Sequence, residues 1–194
     1  LWIGTFGQGL YCFDPRTEKH LHLTEKNGLS NNSILNIDGH GETIWLATLG
    51  GISEVSWKGN PFNNEISITG FNDKFNFPEV YVYDVFAAPE GKIWFGTDGK
   101  GLYVYENGQF RSFETKADTV VRTDDHPKTI YSIAAGQNNT IWISGVKGQV
   151  LQLSESGQIL DHFQGSQGLI KSLVRSGVSE MLMIREEGIH VMNR

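Results

Sequence analysis

The chain has 194 residues, and its 16 basic and 22 acidic side chains give a formal net charge of −6. Because binding to a phosphate backbone needs a concentrated basic face, and the basic residues here are scattered, we expect no nucleic-acid partner. No apolar run approaches the roughly 20 residues that cross a bilayer, so membrane contact is expected only through segments outside this chain.

The single cysteine leaves the redox compartment open. Cys12 lies in the apolar string "LYCF" and has no second cysteine to pair with. A bacterial periplasmic protein needs no disulfide and a cytosolic protein rarely has one, so the count does not separate the two. With apolar neighbours, the thiol is expected to be buried and inert rather than a nucleophile.

One apolar phrase recurs five times along the chain at intervals of 43, 49, 48 and 41 residues. A period in the forties indicates an array of supersecondary units, for which helical HEAT-type repeats, WD40-like blades and kelch-like blades are the candidates. The phrase is anchored in turn by Trp2, Trp45, Trp94, Trp142 and Met183.

Each period contains four short runs rich in β-branched and aromatic residues. After Asn32 they read "SILNID", "TIWLAT", "GISEVS" and "EISITGF", and similar sets follow Val80 and Lys128. Glycine, asparagine, aspartate or proline separates the runs, which is typical of strands joined by tight turns. No segment sustains a 3.6-residue apolar period with caps, so helical repeats are disfavoured.

The burial expected of the strands differs within a period. The second run is apolar at both odd and even positions over residues 44–47, so both of its faces must be covered. The fourth run alternates, as in residues 20–23, and should lie nearer solvent. These features predict an all-β fold, a β-propeller of four-stranded antiparallel blades.

Glycines stand between the second and third runs, in "FGQG", "LGG", "DGKG" and "VKGQ". A short hairpin there tends to require positive φ, which glycine adopts most readily, so Gly51 and Gly101 are predicted to be structural anchors of the repeat together with the four tryptophans. The segment "GTDGKG" superficially resembles a phosphate-binding loop. A strand rather than a helix follows it, which disfavours that interpretation.

The segment "GLSNNSILNIDGHGETIWLATLGGIS", Gly28–Ser53, resembles the two-component regulator propeller repeat, and Ala88–Tyr103 is similar. Such repeats occur in the periplasmic sensor region of bacterial hybrid two-component histidine kinases, particularly those that control polysaccharide use. The resemblance implies a ring of about seven blades. This chain would then be an incomplete arc of about four to five blades, because it begins at a second strand and ends at a third.

The expected units are a partial blade 1–30, blades 31–78, 79–126 and 127–167, and a partial blade 168–194. Sheet faces that evolved to be covered would be exposed at the two ends of such an arc. We therefore expect self-association or contact with a neighbouring propeller domain.

Ligand recognition is expected in the loops between blades, which should emerge at the same end as the hairpin between second and third strands. Long irregular loops on a rigid scaffold commonly carry recognition. Three aromatic rings and five hydrogen-bonding side chains in these loops suit a sugar. They are Phe75, Phe77 and Tyr81, with Asn76, Arg122, Asp124, Asp125 and His126. The alternative is that the aromatics plug blade junctions and the polar groups are merely solvated.

Neither a metal nor a cofactor is expected. The run Asp124–His126 could hold a cation, yet its spacing implies no further ligands nearby. His20 and His22 share one face of an outer strand and lack a third ligand. No G-x-S-x-G elbow is present for nucleophilic catalysis.

Three functions remain open. The first is a non-catalytic sensor, periplasmic and part of an inner-membrane protein as the resemblance implies, that responds to a polysaccharide-derived ligand. The second is a lyase-like propeller enzyme, which would need histidine or acidic residues at the starts of the inner strands. The third is a protein-interaction propeller. The inner-strand starts are Ser33, Tyr81, Thr129 and Lys171, which favours the non-catalytic sensor.

Overall fold

The structure is a computed structural model that describes residues 1–63, 65–71, 77–78, 80–115, 126–164, 168–177 and 180–193. These residues form five antiparallel sheets, in which neighbouring strands follow chain order. Three sheets have four strands and two have three, so the predicted four-stranded antiparallel units are confirmed. Nowhere in the described ranges is there a helix long and apolar enough to span a membrane.

The strands are short, as tight turns after every few residues require. The first sheet contains β1 (Trp2–Gly4), β2 (Leu10–Phe13) and β3 (His20–Leu23). The second contains β4 (Ile34–His40), β5 (Thr43–Thr48), β6 (Gly51–Trp57) and β7 (Ile66–Phe71). The third contains β8 (Val82–Ala87), β9 (Ile93–Thr97), β10 (Leu102–Glu106) and β11 (Gln109–Phe113).

The fourth sheet contains β12 (Ile130–Ala135), β13 (Ile141–Gly145), β14 (Gln149–Leu153) and β15 (Ile159–Gln164). The fifth contains β16 (Ser172–Arg175), β17 (Glu180–Arg185) and β18 (Gly188–Asn193). A 3-10 turn, Glu25–Asn27, follows β3 and was not predicted.

The chain divides into two compact units. The first comprises Leu1–Ile93 and Tyr105–Arg111, and the second comprises Trp94–Val104 and Ser112–Arg194. Each unit has its own apolar core, because strands that are apolar on both faces must be covered on both sides.

Core packing in the first unit includes an aromatic group centred on Trp45. The Trp45 ring lies 5.4 Å from Phe71 and 4.9 Å from Tyr105, centroid to centroid, and Phe110 lies 5.0 Å from Phe71. Glu54 stands opposite Trp45 across the sheet. Burial raises the pKa of the Glu54 carboxyl, since a charged form is costly away from water.

Core packing in the second unit includes a cluster that is rich in methionine. Trp142 packs with Met181, Met183 and Met192 in one buried cluster, which also contains Ala134, Val150, Ile170 and Leu173. Methionine fills irregular gaps because its side chain is unbranched and flexible. Met183, which stands where the four earlier copies of the phrase have tryptophan, is therefore still a buried anchor.

The hairpins between second and third strands have one recurring lock. In the hairpins β1–β2, β5–β6 and β9–β10, a threonine at or just after the end of one strand donates its hydroxyl to the carbonyl of a glycine at or just before the start of the next. The pairs are Thr5–Gly9 at 2.7 Å, Thr48–Gly51 at 2.9 Å and Thr97–Gly101 at 2.6 Å. All three glycines have positive φ, as the sequence predicts.

Candidate ligand pocket beside His126

Five of the eight predicted ligand residues lie outside the described residues. They are Phe75, Asn76, Arg122, Asp124 and Asp125. The structure places the other three, Phe77, Tyr81 and His126, in different surroundings. Phe77 and Tyr81 are in the first compact unit and His126 is in the second.

Phe77 is a core residue. Its exposed fraction is 0%, and its ring centroid lies 5.3 Å from that of Phe110 in the aromatic group. The burial of this large apolar ring stabilises the fold and leaves no ring face for a ligand. For Phe77, the structure therefore supports the alternative in which loop aromatics plug a junction.

Tyr81 is accessible to a ligand. It directly precedes β8, and half of its surface is exposed, with a fraction of 50%. A tyrosine with a free ring face and a phenolic hydroxyl can both pack on a sugar ring and form a hydrogen bond. Its contact with a ligand stays a prediction.

His126 lines a pocket of about 480 Å³ within the second compact unit. The pocket lies where the β9–β10 hairpin, the end of β11 and the start of β12 come together. Its apolar wall includes Leu102, Phe113, Ile130 and Ile143, and its polar rim includes Lys100, Glu114, Thr115 and Lys128.

Backbone hydrogen bonds hold the hairpin against the start of β12. The Gly101 N–H donates to the carbonyl of Lys128 at 2.6 Å, and the Gly99 N–H donates to Thr129 Oγ1 at 2.9 Å. In the first unit, the N–H groups of Gly7 and Gly9 likewise donate to the carbonyl of Asn32. In both units, the inter-blade loop and the hairpin thus share one end, as predicted.

The His126 ring is held by one nitrogen and leaves the other unsatisfied. Nδ1 and Thr115 Oγ1 share a hydrogen bond at 2.7 Å. Nε2 is buried and has no hydrogen-bond partner among the described residues. Because an unpaired buried polar atom costs about 1–3 kcal/mol, a ligand group that bonds to Nε2 would recover this energy.

Charge at the pocket rim comes from two lysines and one glutamate. Lys100, Lys128 and Glu114 are all exposed. Asp98, next to the hairpin glycine, accepts the Thr129 hydroxyl at 3.1 Å. A few positively and negatively charged hydrogen-bonding groups beside an apolar wall are typical of small-ligand sites.

The histidines, acidic side chains and single cysteine are the groups that bear on catalysis and metal binding. No cluster of three histidine, cysteine, aspartate or glutamate side chains occurs within the described ranges. Cys12 is buried, and burial raises the pKa of its thiol, which keeps it protonated. His22 stacks on Tyr11 at 4.2 Å, and its Nε2 contacts the Gln8 carbonyl at 2.6 Å.

Sequence reasoning missed Thr115, Lys100 and Lys128 as pocket residues. The sequence does place both lysines at the end where the hairpin and the inter-blade loop meet, since Lys100 is in the β9–β10 hairpin and Lys128 immediately precedes the inner-strand start. Nothing in the sequence marked Thr115 as the partner of His126, because that pairing depends on the path of the loop.

A second cavity, a groove of about 710 Å³, lies at the other end of the fourth sheet. It is formed near the β12–β13 turn by Gln137, Asn138, Trp142, Arg175, Glu180 and Met192, among others. The Arg175 guanidinium donates to the carbonyls of Gly136 and Gly177 there. None of the predicted ligand residues lines this groove.

Known proteins share both the repeated sequence and the fold of this chain. Residues 76–99 match the two component regulator propeller family. The predicted resemblance to these repeats is confirmed, and the matched segment runs from the Phe77 loop into the β9–β10 hairpin. A curated relative, histidine kinase P4 of Formosa agariphila, is 26% identical over 157 residues, which is 77% of this chain and 11% of that protein.

Solved structures share the fold. The extracellular domain of the putative hybrid two component system BT3049 from B. thetaiotaomicron matches with a TM-score of 0.73 and 18% identity, over 99% of this chain and 25% of that one. PorZ, a bacterial surface component of the type-IX secretion system of Porphyromonas gingivalis, matches with a TM-score of 0.74 and 15% identity, over 99% and 30%. The predicted all-β propeller fold is confirmed. The chain spans less than a third of each of these proteins.

Proposed function

We propose that this chain is part of a non-catalytic, extracytoplasmic sensor propeller of a hybrid two-component signalling protein, located in the periplasm and responding to a polysaccharide-derived ligand. The similarity to an extracellular domain of a putative hybrid two component system and to a histidine kinase supports this proposal. The match to the regulator propeller family supports it further.

The observation that carries the proposal is the pocket beside His126. It lies at the loop end of the sheets, where recognition on a rigid β scaffold is expected. An unsatisfied buried imidazole nitrogen, a polar rim and an apolar wall converge there. An oligosaccharide presents the matching mixture of hydroxyl groups and C–H faces.

Signalling then follows from differential affinity. A ligand shifts the receptor only if it binds one arrangement of the protein more tightly than another. A coupling of about 1–3 kcal/mol between ligand and kinase output is typical of such systems. The propeller contributes the binding free energy, and other parts of the protein carry the output.

The full-length protein in membranes provides the test. Its autophosphorylation is measured with a panel of oligosaccharides of about three to six sugars, at concentrations up to the millimolar range. At least one oligosaccharide should change the phosphorylation level, and His126→Asn should shift the required concentration upward. If no member of a panel covering neutral and acidic sugars changes phosphorylation, the proposal is wrong.

A further inference from the structure

We propose that the pocket beside His126 binds a carboxylate group of an acidic oligosaccharide, that is, a sugar acid such as a uronate. This inference rests on the proposed function for the saccharide part of the ligand. The carboxylate part comes from the chemistry of the pocket itself.

The first argument is the geometry of His126. Because Thr115 Oγ1 binds Nδ1, the ring orientation is fixed and Nε2 is the nitrogen left for a ligand. When the threonine hydroxyl donates to Nδ1, the neutral ring carries its proton on Nε2 and becomes a donor. A carboxylate is acceptor-only and can use this donor.

The second argument is charge. The chain as a whole is acidic, with a net charge of −6. The pocket rim nevertheless carries two ammonium groups, Lys100 and Lys128, and neither pairs with a carboxylate among the described residues. Their backbones are adjacent, since the Lys128 carbonyl accepts the Gly101 N–H.

Two carboxylates lie near the lysines and must be counted. Glu114 is on the rim and exposed, so water screens it as it screens the two exposed lysines. Asp98 already accepts the Thr129 hydroxyl, which holds one of its oxygens beside the hairpin. Among the described residues, the pocket lining therefore carries two ammonium groups, Lys100 and Lys128, against one carboxylate, Glu114.

The third argument is the apolar wall. Leu102, Phe113, Ile130 and Ile143 are buried and exclude water from one side of the pocket. A charge-assisted hydrogen bond is stronger next to such a wall than in open water.

Isothermal titration of the full-length protein tests the inference with three probes: trigalacturonate, its methyl-esterified counterpart and a triglutamate peptide. Trigalacturonate should bind at least about tenfold more tightly than the ester, because a hydrogen bond to a charged group is lost on esterification. It should also bind about tenfold more tightly than triglutamate, which has carboxylates without a sugar ring.

Two changes at His126 separate recognition from packing. His126→Asn keeps a polar atom near the Nδ1 position and removes the Nε2 donor, so trigalacturonate binding should fall about tenfold. His126→Gln keeps an amide near the Nε2 position and should retain most of the affinity. Equal losses in both variants would contradict a donor role for Nε2.

The lysines have a matched control on the next hairpin. Lys100→Gln should weaken trigalacturonate binding about threefold and leave ester binding unchanged, because the lost interaction is an exposed ion pair. Lys147 is an exposed lysine in the β13–β14 hairpin outside the pocket lining, and Lys147→Gln should change neither. Raising the salt concentration should reproduce the pattern of Lys100→Gln.

The outcomes distinguish this inference from the proposed function. If the ester or another neutral oligosaccharide binds as tightly as trigalacturonate, the carboxylate assignment is wrong and the sensor proposal stands. If triglutamate binds equally well, the sugar assignment of the pocket is wrong. If no saccharide binds the full-length protein, both proposals fail.

Discussion

Two hairpin regions of the molecule are held by equivalent backbone hydrogen bonds, but they differ in whether their loop side chains leave space and an unsatisfied polar atom. The first region, which we term the closed junction, comprises the β1–β2 hairpin and residues 23–32. The second, the open junction, comprises the β9–β10 hairpin with residues 113–115 and 126–128. In each, a threonine hydroxyl locks the hairpin, and a hairpin glycine donates to the loop carbonyl before the inner strand.

The closed junction satisfies its own polar groups. The Glu25 N–H donates to Asn32 Oδ1 and the Asn32 N–H donates to Glu25 Oε1, both at 2.9 Å. Thr24 and Asn27 form a reciprocal cap on the 3-10 turn. A methyl group on Gly9 would overlap the carbonyl oxygen of Leu23, so the closed junction has no room for further atoms at Gly9.

The open junction leaves both space and a polar atom. A methyl group on Gly101 would meet no heavy atom within 4 Å, and His126 Nε2 has no partner in the described part of the chain. The comparison teaches that the repeated motif builds the scaffold. The side chains of the loop decide whether that end is filled or available to a ligand.

The largest expected effect comes from adding one methyl group at matched glycines. Gly9→Ala should lower the local free energy of unfolding by about 3 kcal/mol, since positive φ strain adds to an overlap with backbone. Gly101→Ala should cost about 1 kcal/mol, from backbone strain alone. Hydrogen exchange of the hairpin peptides in the full-length protein measures both, and equal costs would remove the distinction between the junctions.

The aromatic side chain before β8 tests how far recognition extends beyond the open junction. Tyr81→Ala should change binding of the best oligosaccharide by less than about twofold, because Tyr81 does not line the pocket beside His126. Isothermal titration of the same oligosaccharide into the Tyr81→Ala and His126→Asn variants compares the two losses of affinity. A loss larger than that of the histidine variant would move the main site away from the open junction.

Asn32 tests the self-satisfied loop of the closed junction. Asn32→Ala removes the acceptor for the Glu25 N–H and should cost about 1 kcal/mol of local stability. His126→Asn at the open junction should not lower local stability, because its Nδ1-side contact is kept and the unpaired Nε2 is removed. Hydrogen exchange of the two loops decides, and a larger loss at His126 would indicate a packing role for that histidine.

The smallest expected effect is the pH dependence of stability that comes from Glu54, a residue outside both junctions. Its raised pKa means that the folded protein holds the carboxyl proton up to a higher pH than the unfolded chain. Deprotonation of the buried group therefore costs stability as pH rises through the folded pKa. Glu54→Gln should stabilise the protein slightly at pH 7, and the gain should vanish in acid below the unfolded pKa. Thermal unfolding at several pH values checks this, and a gain independent of pH would contradict it.

The sequence predicts the scaffold better than the site, for physical reasons visible in single residues. Trp45, Trp94 and Trp142 repeat because the three four-stranded sheets impose the same burial on their second strand. The hairpin glycines Gly51, Gly101 and Gly148 repeat because each hairpin requires positive φ. The sequence alone does not show whether a loop phenylalanine such as Phe77 is buried in a junction or exposed to solvent. Its packing against Phe110 in the structure shows that it is buried.

The site residues depend on contacts between distant parts of the chain. His126 was singled out from its place in a polar loop, while its bond to Thr115 requires the loop path to bring the two together. The 3-10 turn after β3 did have a local signal, the Thr24 to Asn27 spacing of a cap, which the strand pattern obscured.

The central claim is that the chain recognises an oligosaccharide without changing it. Incubating the full-length protein with trigalacturonate and following the sugar by NMR tests this most directly. The account predicts reversible line broadening that diminishes in His126→Asn, with every sugar signal recovered after the protein is removed. New product signals that accumulate with time and disappear in His126→Asn would contradict it and identify the propeller as an enzyme.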